Sequence, residues 1–74
     1  MSIKYRLLIE FRNGKKDISI WQYNTTTNKE RILFSQGKQI QYDSWNNYMP
    51  IKDGDKESDI TKQEAEELMF IEAI

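Results

Sequence analysis

The chain has 74 residues and contains neither cysteine nor histidine. These absences exclude disulfides and the familiar zinc sites, and they remove the commonest catalytic base and the thiol nucleophile. The formal net charge is −1, but residues 1–38 carry eight Lys or Arg against three acids, a net +5, whereas residues 39–74 carry three lysines against nine acids, a net −6. We expect one small domain, residues 1–74, with no catalytic residue, metal or cofactor.

The apolar residues are too dispersed for a membrane segment or a secretion signal. The amino terminus contains Lys4 and Arg6 within its apolar alternation, so it lacks the continuous apolar region of a signal peptide. No apolar run approaches the roughly 20 residues that span a bilayer. We therefore expect a cytoplasmic protein that does not contact membranes.

The first predicted element is a strand with one buried face. Apolar residues recur at every second position, which is the strand period: Ile3, Tyr5, Leu7, Ile9 and Phe11. Asn13-Gly14 follows, and this dipeptide is the strongest short signal for a hairpin because both residues tolerate positive φ. A second strand then returns with Ile18, Ile20 and Gln22 on the buried face and Trp21 and Tyr23 on the outer face.

The length of the first loop sets which residues face each other. A two-residue loop places Glu10 opposite Asp17, a like-charge pair, whereas a four-residue loop, Asn13 to Lys16, places Arg12 opposite Asp17. The charges favour the longer loop. Both registers place Trp21 near Arg6 on the outer face, because they differ by two residues.

A second hairpin is predicted after a polar turn at residues 24–29. Its strands are Glu30–Ser35 and Gln39–Trp45, and a three-residue loop at residues 36–38 contains Gly37. This loop aligns Phe34 with Ile40, Ile32 with Tyr42, and Arg31 with Asp43. The polar segment Asn46–Ser58 is predicted to be a loop.

A helix is predicted at the carboxyl end. Thr61-Lys62-Gln63-Glu64 matches the capping box, in which the threonine and glutamate side chains satisfy free backbone N–H groups. Ala65, Leu68 and Met69 form the apolar stripe, and Ile60 is placed to pack against it. Phe70 and Ile74 point away from this stripe and are predicted to be exposed.

The segment Asp53–Glu64 resembles an EF-hand calcium loop, with acids at loop positions 1, 3, 5 and 7 and glutamate at position 12. It departs from that pattern at Ser58, which stands where the sharp turn needs glycine, and at Glu57, which is long for position 5. Pro50 disfavours the entering helix, and EF-hands usually occur in pairs. An acidic loop that leads into a capping box explains the same residues, and we expect no metal site.

Two binding hypotheses follow from the outer face of the first hairpin. Arg6, Arg12, Trp21 and Tyr23 combine cations with aromatic rings, as single-strand nucleic-acid binders do on a sheet. The same residues, together with Phe70 and Ile74, also suit a protein partner. The opposite charges of the two halves either neutralise each other across the folded surface or address different partners.

The pattern as a whole predicts an α+β fold: a four-stranded, largely antiparallel β-meander with one carboxy-terminal α-helix packed on one face, in the order β-β-β-β-α. We expect a non-enzymatic module that binds protein, with single-stranded nucleic acid as the alternative. As a compact single domain rich in Lys, Asn and Ile and without catalytic residues, the chain is similar to small accessory proteins of phages and mobile elements, although it shares no motif with them. Some of those proteins inhibit host defences such as CRISPR nucleases. Because neither disulfides nor metals are available, we also expect self-association into a homodimer, through Phe70 and Ile74 or a sheet edge.

Overall fold

The computed structural model describes residues 2–40, 44–48 and 55–73, and only the backbone of Arg12. In this part of the chain the elements are β1 (Ile3–Arg12), β2 (Lys15–Asn24), β3 (Lys29–Ser35), β4 (Lys38–Gln39), β5 (Asn46–Asn47), β6 (Lys56–Ile60) and α1 (Lys62–Ile71). The strands form one antiparallel sheet in the order β4-β3-β2-β1-β6, with β5 also paired to β3. The predicted α+β architecture is confirmed, with more strands than four.

The first hairpin has a two-residue loop, so the predicted four-residue loop is wrong. Asn13 and Gly14 have φ of 51° and 76°, which is the type I′ geometry that matches the twist of paired strands. Glu10 consequently faces Asp17. A like-charge pair costs at most about 1 kcal/mol, which is too little to displace the turn that Asn-Gly favours. Arg6 faces Trp21, as predicted.

The second hairpin also turns in two residues, at Gln36 and Gly37, with φ of 53° and 77°. Phe34 therefore faces Gln39, and the predicted alignment of Phe34 with Ile40 is wrong by one position. The backbone N–H of Ile40 instead donates to the Leu33 carbonyl. Tyr42 and Asp43, which the prediction aligned with Ile32 and Arg31, lie outside the described residues.

Strand β5 lies within the segment Asn46–Ser58 that was predicted to be a loop, and β6 begins before the end of that segment. Strand β6 pairs with the free side of β1, placing Ile60 beside Tyr5 and Ser58 beside Leu7. Polar composition hid this strand, since Lys, Glu and Asp are poor strand formers by intrinsic preference. Pairing with a long strand outweighs that preference.

The apolar core lies between the sheet and α1. Among the described residues, Ile20, Phe34 and Ala65 are fully buried, and five partly buried residues surround them: Tyr5, Leu7, Ile60, Leu68 and Met69. The predicted capping box is confirmed, because the Glu64 N–H donates to Thr61 Oγ1 at 3.0 Å and the Thr61 N–H donates to Glu64 Oε1 at 3.0 Å. The helix therefore starts where the sequence predicts.

The helix covers only part of the sheet. Ten helical residues extend about 15 Å, whereas the ten residues of β1 extend about 33 Å. Phe11, at the far end of β1, is consequently 54% exposed, although its alternation predicted a buried position.

Candidate functional site

The outer face of the sheet, opposite α1, carries a cluster centred on Arg6. In the sheet register Arg6 lies between Trp21 of β2 and Asp59 of β6. Alternation along β6 places Glu57 on the same face. We refer to the following five residues as the Arg6 cluster: Arg6, Tyr23, Tyr48, Glu57 and Asp59.

Aromatic rings and carboxylates enclose the Arg6 guanidinium. Its Nη1 lies 2.7 Å from Glu57 Oε1 and its Nε lies 3.5 Å from Asp59 Oδ1. Its central carbon lies 4.4 Å from the Tyr23 ring centroid and 5.0 Å from that of Tyr48, within the range of cation–π attraction. The side chain is 20% exposed, and its buried Nε and Nη1 atoms make ion pairs without well-aligned hydrogen bonds. The guanidinium is therefore largely occupied by contacts within the chain.

The electrostatics of the cluster favour the charged form of Arg6. Burial lowers the pKa of Arg6, but the negative charge of Glu57, the interactions with Tyr48 and the charge of Asp59 outweigh it and raise the pKa above its ordinary value. A residue of the basic half is thus neutralised by two residues of the acidic half. At this position, the charge asymmetry of the sequence serves the fold.

Trp21 and Tyr23, the two aromatic residues predicted to bind a partner, also make contacts within the chain. The Trp21 indole Nε1 donates to Ser19 Oγ at 2.9 Å, and Ser19 is itself buried. The Tyr23 hydroxyl donates to Asn28 Oδ1, and its ring meets Tyr48 edge-on at 5.3 Å. Both residues are partly buried rather than exposed. The side chain of Arg12, the remaining predicted residue of this face, lies outside the described part.

The outer face of α1 is the opposite case. Phe70 is 86% exposed and Ile71 is 71% exposed, which confirms the predicted exposure of Phe70. Glu66 and Glu67 are also exposed on this face, and the last helical turn contains no basic residue. We refer to the following residues as the α1 outer face: Glu66, Glu67, Phe70 and Ile71. Ile74 lies outside the described residues.

The residues that the sequence interpretation missed carried usable signals. Glu57 and Asp59 are two apart, so a strand places both on one face. Ile71 is roughly 120° from Ala65 around a helix that turns about 100° per residue, which also predicts exposure. Tyr48 carries no comparable signal, because its position depends on the pairing of β5 with β3.

In the folded chain, acidic residues of the calcium-loop pattern make contacts within the protein. Glu57 and Asp59 lie in the extended strand β6 and contact Arg6, and Glu64 belongs to the capping box. An extended strand differs from the wound loop of an EF-hand. Within the described ranges, no three Asp or Glu side chains are grouped to hold a metal ion.

Comparisons of the chain with protein-family models, with curated proteins and with solved structures found no match. In the described part of the chain, no helix has the length and apolar character needed to cross a membrane.

Proposed function

We propose that the chain is a non-enzymatic binding module that recognises another protein through the α1 outer face. The observation that carries this proposal is the exposure of Phe70 and Ile71, which are large apolar side chains on the last turn of an acidic helix. Exposed apolar residues rimmed by polar ones are typical of protein interaction sites.

The chemistry of this face defines the kind of partner that fits it. Removing a Phe or Ile side chain from water is worth about 1.5–3 kcal/mol, and an aromatic anchor at the centre of an interface often dominates affinity. Glu66 and Glu67 beside the anchor favour a basic rim. The fitting partner surface is therefore an apolar pocket bordered by Lys or Arg.

The state of the Arg6 cluster supports a protein partner over single-stranded nucleic acid. Phosphate binding needs cations that can exchange water and counterions for phosphate, but Arg6 is already paired with Glu57 and Asp59. Base stacking needs open ring faces, whereas Tyr23 contacts both Arg6 and Tyr48. The size and composition of the chain suggest an inhibitor of a host defence system, and such an inhibitor would belong to the protein-binding class.

Affinity capture from the source cells, with and without nuclease, tests the proposal. The variant Phe70→Ser/Ile71→Ser removes the anchor, and Phe11→Ser removes an exposed phenylalanine elsewhere. We expect nuclease-resistant partners that are lost with the first variant and kept with the second, while both variants still melt cooperatively. Partners retained by both variants would contradict the proposal.

A binding assay with a labelled single strand covers the alternative function. At about 150 mM salt we expect negligible binding, because Arg6, the cation that lies against the aromatic rings, is already paired with Glu57 and Asp59. Micromolar binding that Trp21→Ala abolishes in a folded protein would instead favour nucleic acid, since stacking is worth about 1–3 kcal/mol per base.

A further inference from the structure

An open groove of about 1040 Å³ lies at the carboxyl end of α1. Its walls come from the start of β2, from the β3–β4 hairpin and from the residue that ends the helix. The lining includes two lysines, three apolar residues and two acidic residues: Lys16, Lys38, Ile18, Phe34, Ile40, Asp17 and Glu72.

The groove combines apolar side chains with lysines on two of its walls. Ile18 and Ile40 are half-buried along it, and the buried Phe34 also belongs to its lining. Lys16 and Lys38 are both exposed and stand on two different hairpins. Asp17 and Glu72 are the acidic residues of the lining. The apolar side chains and the two exposed lysines are the features that the α1 outer face requires of a partner.

The anchor and the groove are neighbours on the same chain. Glu72 lines the groove and directly follows Phe70 and Ile71 in sequence. A protein that carries a surface and its complement side by side can exchange them with a second copy across a two-fold axis, and such closed pairs are the commonest oligomers. A small core without disulfides is a further setting in which association adds stability.

We propose that the chain forms a two-fold homodimer in which Phe70 and Ile71 of each copy enter the groove of the other. Glu66 and Glu67 then face Lys16 and Lys38 of the second copy. This inference rests on the proposed function, because it names a second copy of the chain as a partner of the α1 outer face.

Charge reversal tests the contact between the groove and the α1 outer face, and mixing two oppositely reversed variants should restore that contact. Lys16→Glu/Lys38→Glu makes the groove acidic, and Glu66→Lys/Glu67→Lys makes the helix basic. In either variant alone both halves of the dimer face like charges, and we expect the dissociation constant to rise at least about tenfold. In an equimolar mixture every acidic surface meets a basic one, so dimers form again. Lys4→Glu/Lys29→Glu applies the same charge change to exposed lysines outside the groove.

Sedimentation velocity over a micromolar concentration series provides the measurement. We expect wild type and the Lys4/Lys29 variant to dimerise, each groove or helix variant to be monomeric, and their mixture to dimerise. Circular dichroism melts confirm that all variants fold. A monomeric wild type, or a mixture that stays monomeric, would overturn the homodimer.

The homodimer and the proposed function fail in different ways. A monomeric wild type whose captured partners still depend on Phe70 and Ile71 overturns the homodimer and leaves heterologous protein binding intact. A wild-type dimer that survives Phe70→Ser/Ile71→Ser overturns the assigned contact. A monomer without partners that depend on this face contradicts both.

Discussion

Different interactions stabilise the two faces of the sheet. On the face under α1, Ile20 and Phe34 are almost completely removed from water and pack against Ala65. On the opposite face, Arg6 retains partial exposure and is held by two carboxylates and two rings. Apolar burial anchors β2, β3 and the helix, whereas the Arg6 cluster fastens β6 and Tyr48 to the first hairpin.

This difference shows how a short chain with few buried apolar residues can be stabilised. The described part of the chain buries only three apolar residues fully, so a second set of contacts stabilises the side of the sheet that the helix does not cover. The contacts use the opposite charges of the two halves of the sequence. Arg6, near the amino end, meets Glu57 and Asp59, near the carboxyl end, where β1 pairs with β6.

The largest expected effect comes from the helix-covered face. Phe34→Ala leaves a cavity in the core, and we expect a loss of about 3–5 kcal/mol in the free energy of unfolding, measured by urea denaturation. Phe70→Ala is the matched control, because Phe70 is 86% exposed and its truncation is expected to cost less than about 0.5 kcal/mol at concentrations where the chain is monomeric. Equal losses at the two positions would contradict the assignment of the core.

Arg6→Met tests the outer face while keeping an apolar stem. We expect a loss of about 2 kcal/mol, because the variant loses both cation–π contacts and leaves the mostly buried Glu57 without its cation. Lys4→Met, on the same strand and face but exposed, is expected to change stability by less than about 0.5 kcal/mol. Combining Arg6→Met with Glu57→Gln should cost less than the sum of the single changes. Strict additivity would show that the pair does not interact.

Thr61→Ala removes half of the capping box and tests whether the helix start contributes to the apolar face. We expect a loss of about 1 kcal/mol, because the Glu64 N–H loses its acceptor. Thr27→Ala, in an exposed turn, provides the control, with a change below about 0.5 kcal/mol. An unchanged urea midpoint in Thr61→Ala would mean that the helix gains nothing from its cap.

The smallest effect concerns the register of the first hairpin. Asp17→Lys replaces a like-charge pair with an opposite-charge pair, since Asp17 faces Glu10, and we expect a gain of about 0.2–1 kcal/mol. A four-residue loop would place Arg12 opposite this position, and the same substitution would then destabilise the protein. The sign of the change in the urea midpoint therefore decides the register.

Much of the fold could be predicted from local signals. Alternation located β1 and β2, Asn13-Gly14 located the turn, and the capping box located the first turn of α1, because each pattern has a direct backbone cause. Charge pairing misled the choice of loop length, since one cross-strand pair is weaker than a turn preference. Strand β6 was missed because its stability comes from pairing with β1, a contact between distant parts of the sequence.

The candidate site divides in the same way. Exposure of Phe70 follows from helix periodicity, so the sequence predicts it. The internal contacts of Arg6 and Tyr23 depend on Tyr48, Glu57 and Asp59, which reach the same face only through the complete topology. Basic residues that a sequence predicts on a surface therefore indicate a binding face only if they do not pair with other residues of the same chain.

The most direct test of the account is a concentration series of amide NMR spectra of the wild-type chain, from about 10 μM to about 1 mM, the range in which micromolar association becomes visible. If the end of α1 is the binding surface and the Arg6 cluster is closed internally, the signals of Phe70, Ile71 and Glu72 shift together with those of Lys16 and Lys38. The signals of Arg6, Trp21 and Tyr23 then stay in place. Shifts confined to the outer face of the first hairpin would contradict the account, and no shifts in a chain that stays monomeric would contradict the homodimer.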